Sequence, residues 1–144
     1  VKHFAFANAL KAFCRVTGLM DEKDPEILQK VGECYRKTDE TTWIYIVEQE
    51  INEQKPRIAV ISDVRHVNEY KWIKDNKGLY ITIERLLPDK TQFISSDRDP
   101  EHISEIALNG VMGDYSIKAF DGDIMELELS AKQLWKLIDQ KLNT

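Results

Sequence analysis

The chain has 144 residues, 42% hydrophobic and 31% charged, with a net charge of −5 at neutral pH. That length suits one compact domain with a substantial core and is short for two of ordinary size. The acidic balance excludes a broad nucleic-acid surface, and no window approaches the roughly 18 consecutive apolar residues that a membrane span needs.

No basic segment followed by an apolar core opens the chain, so no signal peptide is expected, while Val1 in place of methionine leaves the natural start open. Residues 3–7, HFAFA, form a short apolar segment, and Asn8 then serves as N-cap of a helix to about Thr17 that Gly18 closes. Cys14 and Cys34 have no CxxC spacing and no histidine at metal spacing, and they read as reduced thiols of a cytoplasmic protein. Asp24-Pro25 supplies an N-cap with proline at the first helical position, and Ile27, Leu28 and Val31 mark the apolar stripe of a helix ending near Gly32. From Asp39 to about Asn52 the residues Trp43, Ile44, Ile46, Val47 and Ile51 fall at helical spacing; helix is favoured, although the β-branched residues also permit a strand over 42–47.

Ile58, Ala59, Val60 and Ile61 are apolar on both faces, the pattern of a central parallel strand covered by helices on each side. A helix over Val67 to Asp75 follows, carrying Tyr70, Trp72 and Ile73, and stops at Asn76-Lys77-Gly78. Leu79 to Glu84 alternates and predicts a strand, whereas 86–100 is polar, holds two prolines and reads as a loop in which a mobile flap can reside. Residues 101–108 predict a short helix and 115–118 a short strand. Ser130 and Gln133 make a capping box before a helix carrying Leu134, Leu137, Ile138 and Leu142.

Strands alternating with helices of this length predict an α/β fold, a mostly parallel sheet with right-handed crossovers and helices on its faces. Loops at the carboxyl ends of such strands converge on ligands, which singles out Asn8, Asp63, Arg65 and the polar segment after Glu84. A carboxylate in the position of Asp63 can hold Mg²⁺, and an arginine in that of Arg65 can hold a phosphate oxygen.

Five blocks then occur in order: HFAFANALK at 3–11, LQKVGECYR at 28–36, TTWIYIVEQEI at 41–51, VISDVRHVNE at 60–69 and HISEIAL at 102–108. Together they resemble the deoxynucleoside monophosphate kinase family of P-loop kinases, whose relatives include the animal phosphomevalonate kinases. The resemblance implies a three-layer P-loop kinase-like fold that transfers a phosphoryl group from ATP to a deoxynucleoside or nucleoside monophosphate. Mg²⁺ and ATP would be the cofactors and a small-molecule nucleotide the partner, with neither nucleic acid nor membrane; a homodimer stays open. Asp63 would then hold Mg²⁺ directly or through water, and Arg65 would be the arginine of the family's Asp-x-Arg. Lys11 would face the acceptor phosphate, Arg36 would lie near the acceptor side, and Arg98 would belong to a lid over phosphates. As plain residues, Lys11, Arg36 and Arg98 read equally as exposed surface charges. Asn68 and Glu69 complete their block and read as helix-capping and dipole residues. In HISEIAL the family has proline where this chain has Ile103, while His102, Ser104 and Glu105 are in place.

The family's chemistry also needs a GxxxxGK[ST] loop to cradle a triphosphate, and none of the glycines at 18, 32, 78, 110, 113 and 122 precedes Lys-Ser or Lys-Thr. The resemblance therefore implies a single domain over 1–144 that begins one strand and one helix late, with a lid at 86–100. The strand so lost would lie between 58–62 and 79–84. Upstream residues, direct pairing of those two strands or an edge from another chain would have to fill its place. The 144 residues alone are expected not to transfer phosphate. A non-catalytic nucleotide-binding or assembly module on the same scaffold is the alternative, and a phosphomevalonate kinase a third reading.

Overall fold

The Asp24-Pro25 start and the helical spacing over 42–54 carry through to a computed structural model that describes residues 1–143. Its strands are β1 (Lys2–Phe4), β2 (Ala59–Ile61), β3 (Ile81–Leu86) and β4 (Tyr115–Phe120). The helices are α1 (Ala7–Val16), α2 (Pro25–Thr38), α3 (Thr42–Gln54), α4 (Val67–Asp75), α5 (Ile103–Ile106) and α6 (Ile124–Leu142). The architecture is α/β with two parallel ladders, β1 on β2 and β3 on β4. The chain divides into two compact units, residues 1–77 with 95–110 and residues 78–94 with 111 onward, and each ladder lies within one of them. No helix among the described residues is long and apolar enough to cross a membrane.

In the first unit Lys2, His3 and Phe4 pair with Ala59, Val60 and Ile61. Phe4, Phe6, Leu10, Cys14, Met20, Trp43, Ile44 and Val47 form the core. Leu10 and Cys14 are one helical turn apart on α1, as Trp43 and Val47 are on α3, so each helix turns one stripe inward. Burying a large apolar side chain contributes about 1.5–3 kcal/mol, which is why helix wins over strand for 42–54: a strand would send alternate members of that stripe outward. Burial also pushes the Cys14 thiol up and keeps it protonated; Cys34 is exposed, and both are free.

Three expectations fail here for identifiable reasons. Helix α1 starts at Ala7 with Phe6 as its N-cap, not at Asn8, because the carboxylate that caps it comes from Asp63. Helix α2 runs through Gly32 to Thr38, and Gly32 is buried inside it. A Cβ there would stand 3.0 Å from Arg36 Nη1 and 3.1 Å from Leu10 Cδ2, so this glycine serves close packing and not termination. Strand β2 is not covered on both faces: Ala59 and Val60 are exposed, since its sheet has only two strands. By contrast Asp24 caps α2 as its sequence dictates, accepting from the Glu26 and Ile27 amides, and α4 has the expected bounds.

In the second unit β3 and β4 run in register from Ile81↔Tyr115 to Leu86↔Phe120, α6 packs on β4, and Ile117 and Ala119 of β4 are buried. The ladder begins two residues later than the alternation of 79–84 suggests, because Tyr80 N–H is bonded to the Asp114 carboxylate at 2.6 Å. Strand β4 continues past 118 to Phe120. Helix α6 starts well before Ser130, at the Asp123 cap, whose side chain accepts from Glu126 N–H, and Ser130 lies inside the helix. The first half of the expected flap is a closed turn: Leu86 bridges Gln92, and Phe93 N–H returns to the Arg85 carbonyl. Helix α5 is a single turn, shorter than 101–108.

Candidate anion-binding site

The site is built where β2 gives way to α4 in the first unit. Past Ile61 the chain passes through Asp63 and Arg65, and the Asp63 oxygens accept the Phe6 and Ala7 amides at 2.8 Å each. A carboxylate satisfies two amides there that α1 cannot pair internally and opposes the positive end of its dipole.

Glu69, on the first turn of α4, is almost wholly buried and turns back on the same loop. Its Oε2 accepts from Arg65 N–H at 2.8 Å and His66 N–H at 3.0 Å, and its Oε1 lies 3.5 Å from Arg36 Nη2. Burial pushes the Glu69 pKa up, and the two amides and Arg36 pull against it. Arg36 comes from the last turn of α2, and its guanidinium supplies the charge that makes a buried carboxylate tolerable.

A second set of pairs comes from the segment around α5. Arg65 Nη1 is 2.5 Å from Glu105 Oε1, and Arg98 Nη1 is 3.6 Å from the same oxygen. Arg98 also pairs with Asp97 at 2.9 Å, and with a hydrogen bond from Ser95 this holds Asp97 down to about 2. His102 caps α5, with Nδ1 accepting from Ser104 N–H at 3.1 Å, while Nε2 lies 3.2 Å from Glu33 on α2.

These groups surround a cavity of about 140 Å³. Of the residues singled out from the sequence, Lys11, Arg36, Asp63, Arg65 and Arg98 line it and Asn8 does not. Lys23, His66 and Glu105 join them, and the floor is apolar, from Phe6, Leu10 and Leu28. Five cationic side chains therefore face three carboxylates, and each carboxylate is already committed to amides or arginines. The side chains of Lys11 and Lys23 make no hydrogen bond or ion pair with the other described residues. The excess of uncommitted positive charge suits an anion.

The signals for the additional residues were weak. Lys23 stands in an unremarkable polar stretch before Asp24, and the burial of His66 is a tertiary property. As a Mg²⁺ site the set is thin. Asp63 is one carboxylate with both oxygens bonded to amides, and no group of three or more potential ligands occurs among the described residues. The residues do not make a cation site by themselves. The chain matches no family model, and no curated protein and no solved structure is similar to it.

Proposed function

We propose that the cavity seats the phosphate of a deoxynucleoside or nucleoside monophosphate, and that the chain carries the acceptor half of a kinase that transfers a phosphoryl group from ATP in the cytoplasm. The observation that carries this reading is the pair of uncommitted lysines, Lys11 and Lys23, beside three arginines in a cavity whose acids are all engaged. At about 140 Å³ the space falls below the roughly 300–1,000 Å³ of whole-ligand pockets, so it suits a phosphate head group with the nucleoside lying outward.

Phosphoryl transfer spreads negative charge over the moving group, and an enzyme answers mainly by positioning phosphates and supplying fixed positive charge. Lys11, Lys23 and Arg36 can supply it at the acceptor, while Arg98, on the 95–110 segment, can help to exclude water. With no GxxxxGK[ST] loop in the sequence, a nucleotide-binding module without catalysis is the second reading.

Calorimetric titration of the 144-residue chain with the deoxynucleoside monophosphates and with phosphomevalonate tests the first part, and a coupled ADP assay tests the second. The expected result is saturable monophosphate binding that Lys11→Ala weakens, with no ADP formed by this chain alone. Absence of binding to every monophosphate rejects the phosphate site, and preference for phosphomevalonate moves the acceptor to that class.

A further inference from the structure

His66 is the residue of the cavity with a buried side-chain nitrogen that has no hydrogen-bond partner among the described residues. That nitrogen is Nε2, and the residue is only 7% exposed. Buried polar atoms are nearly always paired, so an orphan nitrogen on a residue that lines a cavity needs an explanation. The capping box at the start of α4 turns the Glu69 backbone N–H to the His66 ring and the Glu69 carboxylate to the His66 N–H. Since Nε2 is the unpartnered nitrogen, Nδ1 is the one that receives; Nδ1 is then the acceptor, and the ring proton sits on Nε2.

We propose that the Nε2–H of His66 donates a hydrogen bond to the ligand of this cavity, and that the ligand group it meets is an ionised phosphate oxygen acting as acceptor. The proposal deepens the phosphate-site reading above and rests on it. Each carboxylate of the cavity already has partners inside the protein: Asp63 the Phe6 and Ala7 amides, Glu69 the Arg65 and His66 amides, and Glu105 the Arg65 guanidinium. A phosphate oxygen finds Lys11, Lys23 and this N–H as donors in the same cavity. Burial and the charges of Arg36, His102 and Arg65 hold the ring neutral, with a pKa near 4. The donor thus works without adding a sixth positive charge to a site already crowded with arginines.

The test uses the full chain labelled with ¹⁵N-histidine, followed by long-range proton–nitrogen NMR as inorganic phosphate, and then each deoxynucleoside monophosphate, is added. The expected result is a protonated Nε2 in the free protein whose resonance moves and saturates with phosphate. His66→Phe, which keeps the ring volume but not the donor, should weaken phosphate binding by about tenfold, and His66→Gln should retain most of it. If His66→Phe does not fold, the wild-type resonance and His66→Gln still decide. An Nε2 resonance that stays fixed, while phosphate binds and Lys11→Ala or Lys23→Ala weakens that binding, overturns the role of His66 and leaves the site intact. Absence of phosphate binding altogether overturns both.

Discussion

Asp63 holds Ala7 from 56 positions away in sequence: its Oδ2 accepts the Ala7 amide at 2.8 Å, as its Oδ1 does the Phe6 amide. The carboxylate that the sequence marks as a ligand for Mg²⁺ is also the N-terminal cap of α1, and it ties that helix to the loop after β2. Asp63→Ala should therefore cost about 1–3 kcal/mol of stability, the range for leaving part-buried amides unsatisfied and losing a cap. Urea unfolding of the metal-free protein measures this. A loss of less than a few tenths of a kcal/mol would show that the cap contributes little and return Asp63 to a purely ligand-binding role.

Glu105 occupies Arg65 and approaches Arg98 where a phosphate would compete for them. The Arg65 and Glu105 side chains are 42% and 23% exposed, so the pair is partly screened and contributes on the order of 0.2–1 kcal/mol. Removing the carboxylate's charge frees that amount for the ligand. Glu105→Gln should raise affinity for inorganic phosphate by up to about fivefold at low ionic strength, and the gain should shrink as salt is added. Calorimetry at two salt concentrations reads both effects, and unchanged or weaker affinity would show that Glu105 helps to hold the arginines in place for the ligand.

Buried and neutral, His66 links stability to pH. Its pKa falls from 6.5 to about 4 in the folded chain, so between those values the unfolded state binds more protons and stability rises with pH. The contribution is complete above about pH 6.5 and is lost as pH falls toward 4, with a full size on the order of 3 kcal/mol. Glu69 acts in the opposite sense, because its raised pKa favours the folded state at low pH and that contribution fades as pH rises through the folded value. Comparison of the wild-type chain with His66→Phe isolates the histidine: denaturant unfolding from pH 4 to 7 should show a steeper rise for the wild type. Parallel curves would mean that the ring is hydrated and titrates normally.

What could be read from the sequence was whatever its own neighbours determine. Asp24 caps α2 because the amides it satisfies lie two and three residues on, and the bounds of α4 follow from its own stripe and stop. The start of α1 has no local signal because its cap lies beyond β2, and that of α6 precedes the Ser130 capping box because Asp123 caps the helix first. The division at residue 95, which puts Arg98 with the first unit and the 87–93 turn with the second, leaves no local signal at all. The same holds at the site. Residue type and position past β2 pointed to Asp63 and Arg65, whereas the engagement of the cavity's acids and the buried Nε2 of His66 depend on which helices meet.

Gly32 is the sharpest case of a local rule giving way to packing. In the interior of an exposed helix, glycine to alanine stabilises by about 1 kcal/mol, which on propensity alone favours Gly32→Ala. Here the added methyl would sit 3.0 Å from Arg36 Nη1 and 3.1 Å from Leu10 Cδ2. Leu10 is buried in the core, and Arg36, the nearer neighbour, is paired with Glu69, so making room for a methyl disturbs one or the other. Overpacking of this kind costs about 1–3 kcal/mol, more than the propensity gain, so Gly32→Ala should lower stability by about 1 kcal/mol. Because the displaced guanidinium lines the cavity, the same substitution should also weaken phosphate binding, whereas a purely structural glycine would leave affinity unchanged. Thermal unfolding and phosphate calorimetry on the one variant separate these outcomes, and a rise in stability would mean that α1 and α2 can part without disturbing the Arg36–Glu69 pair.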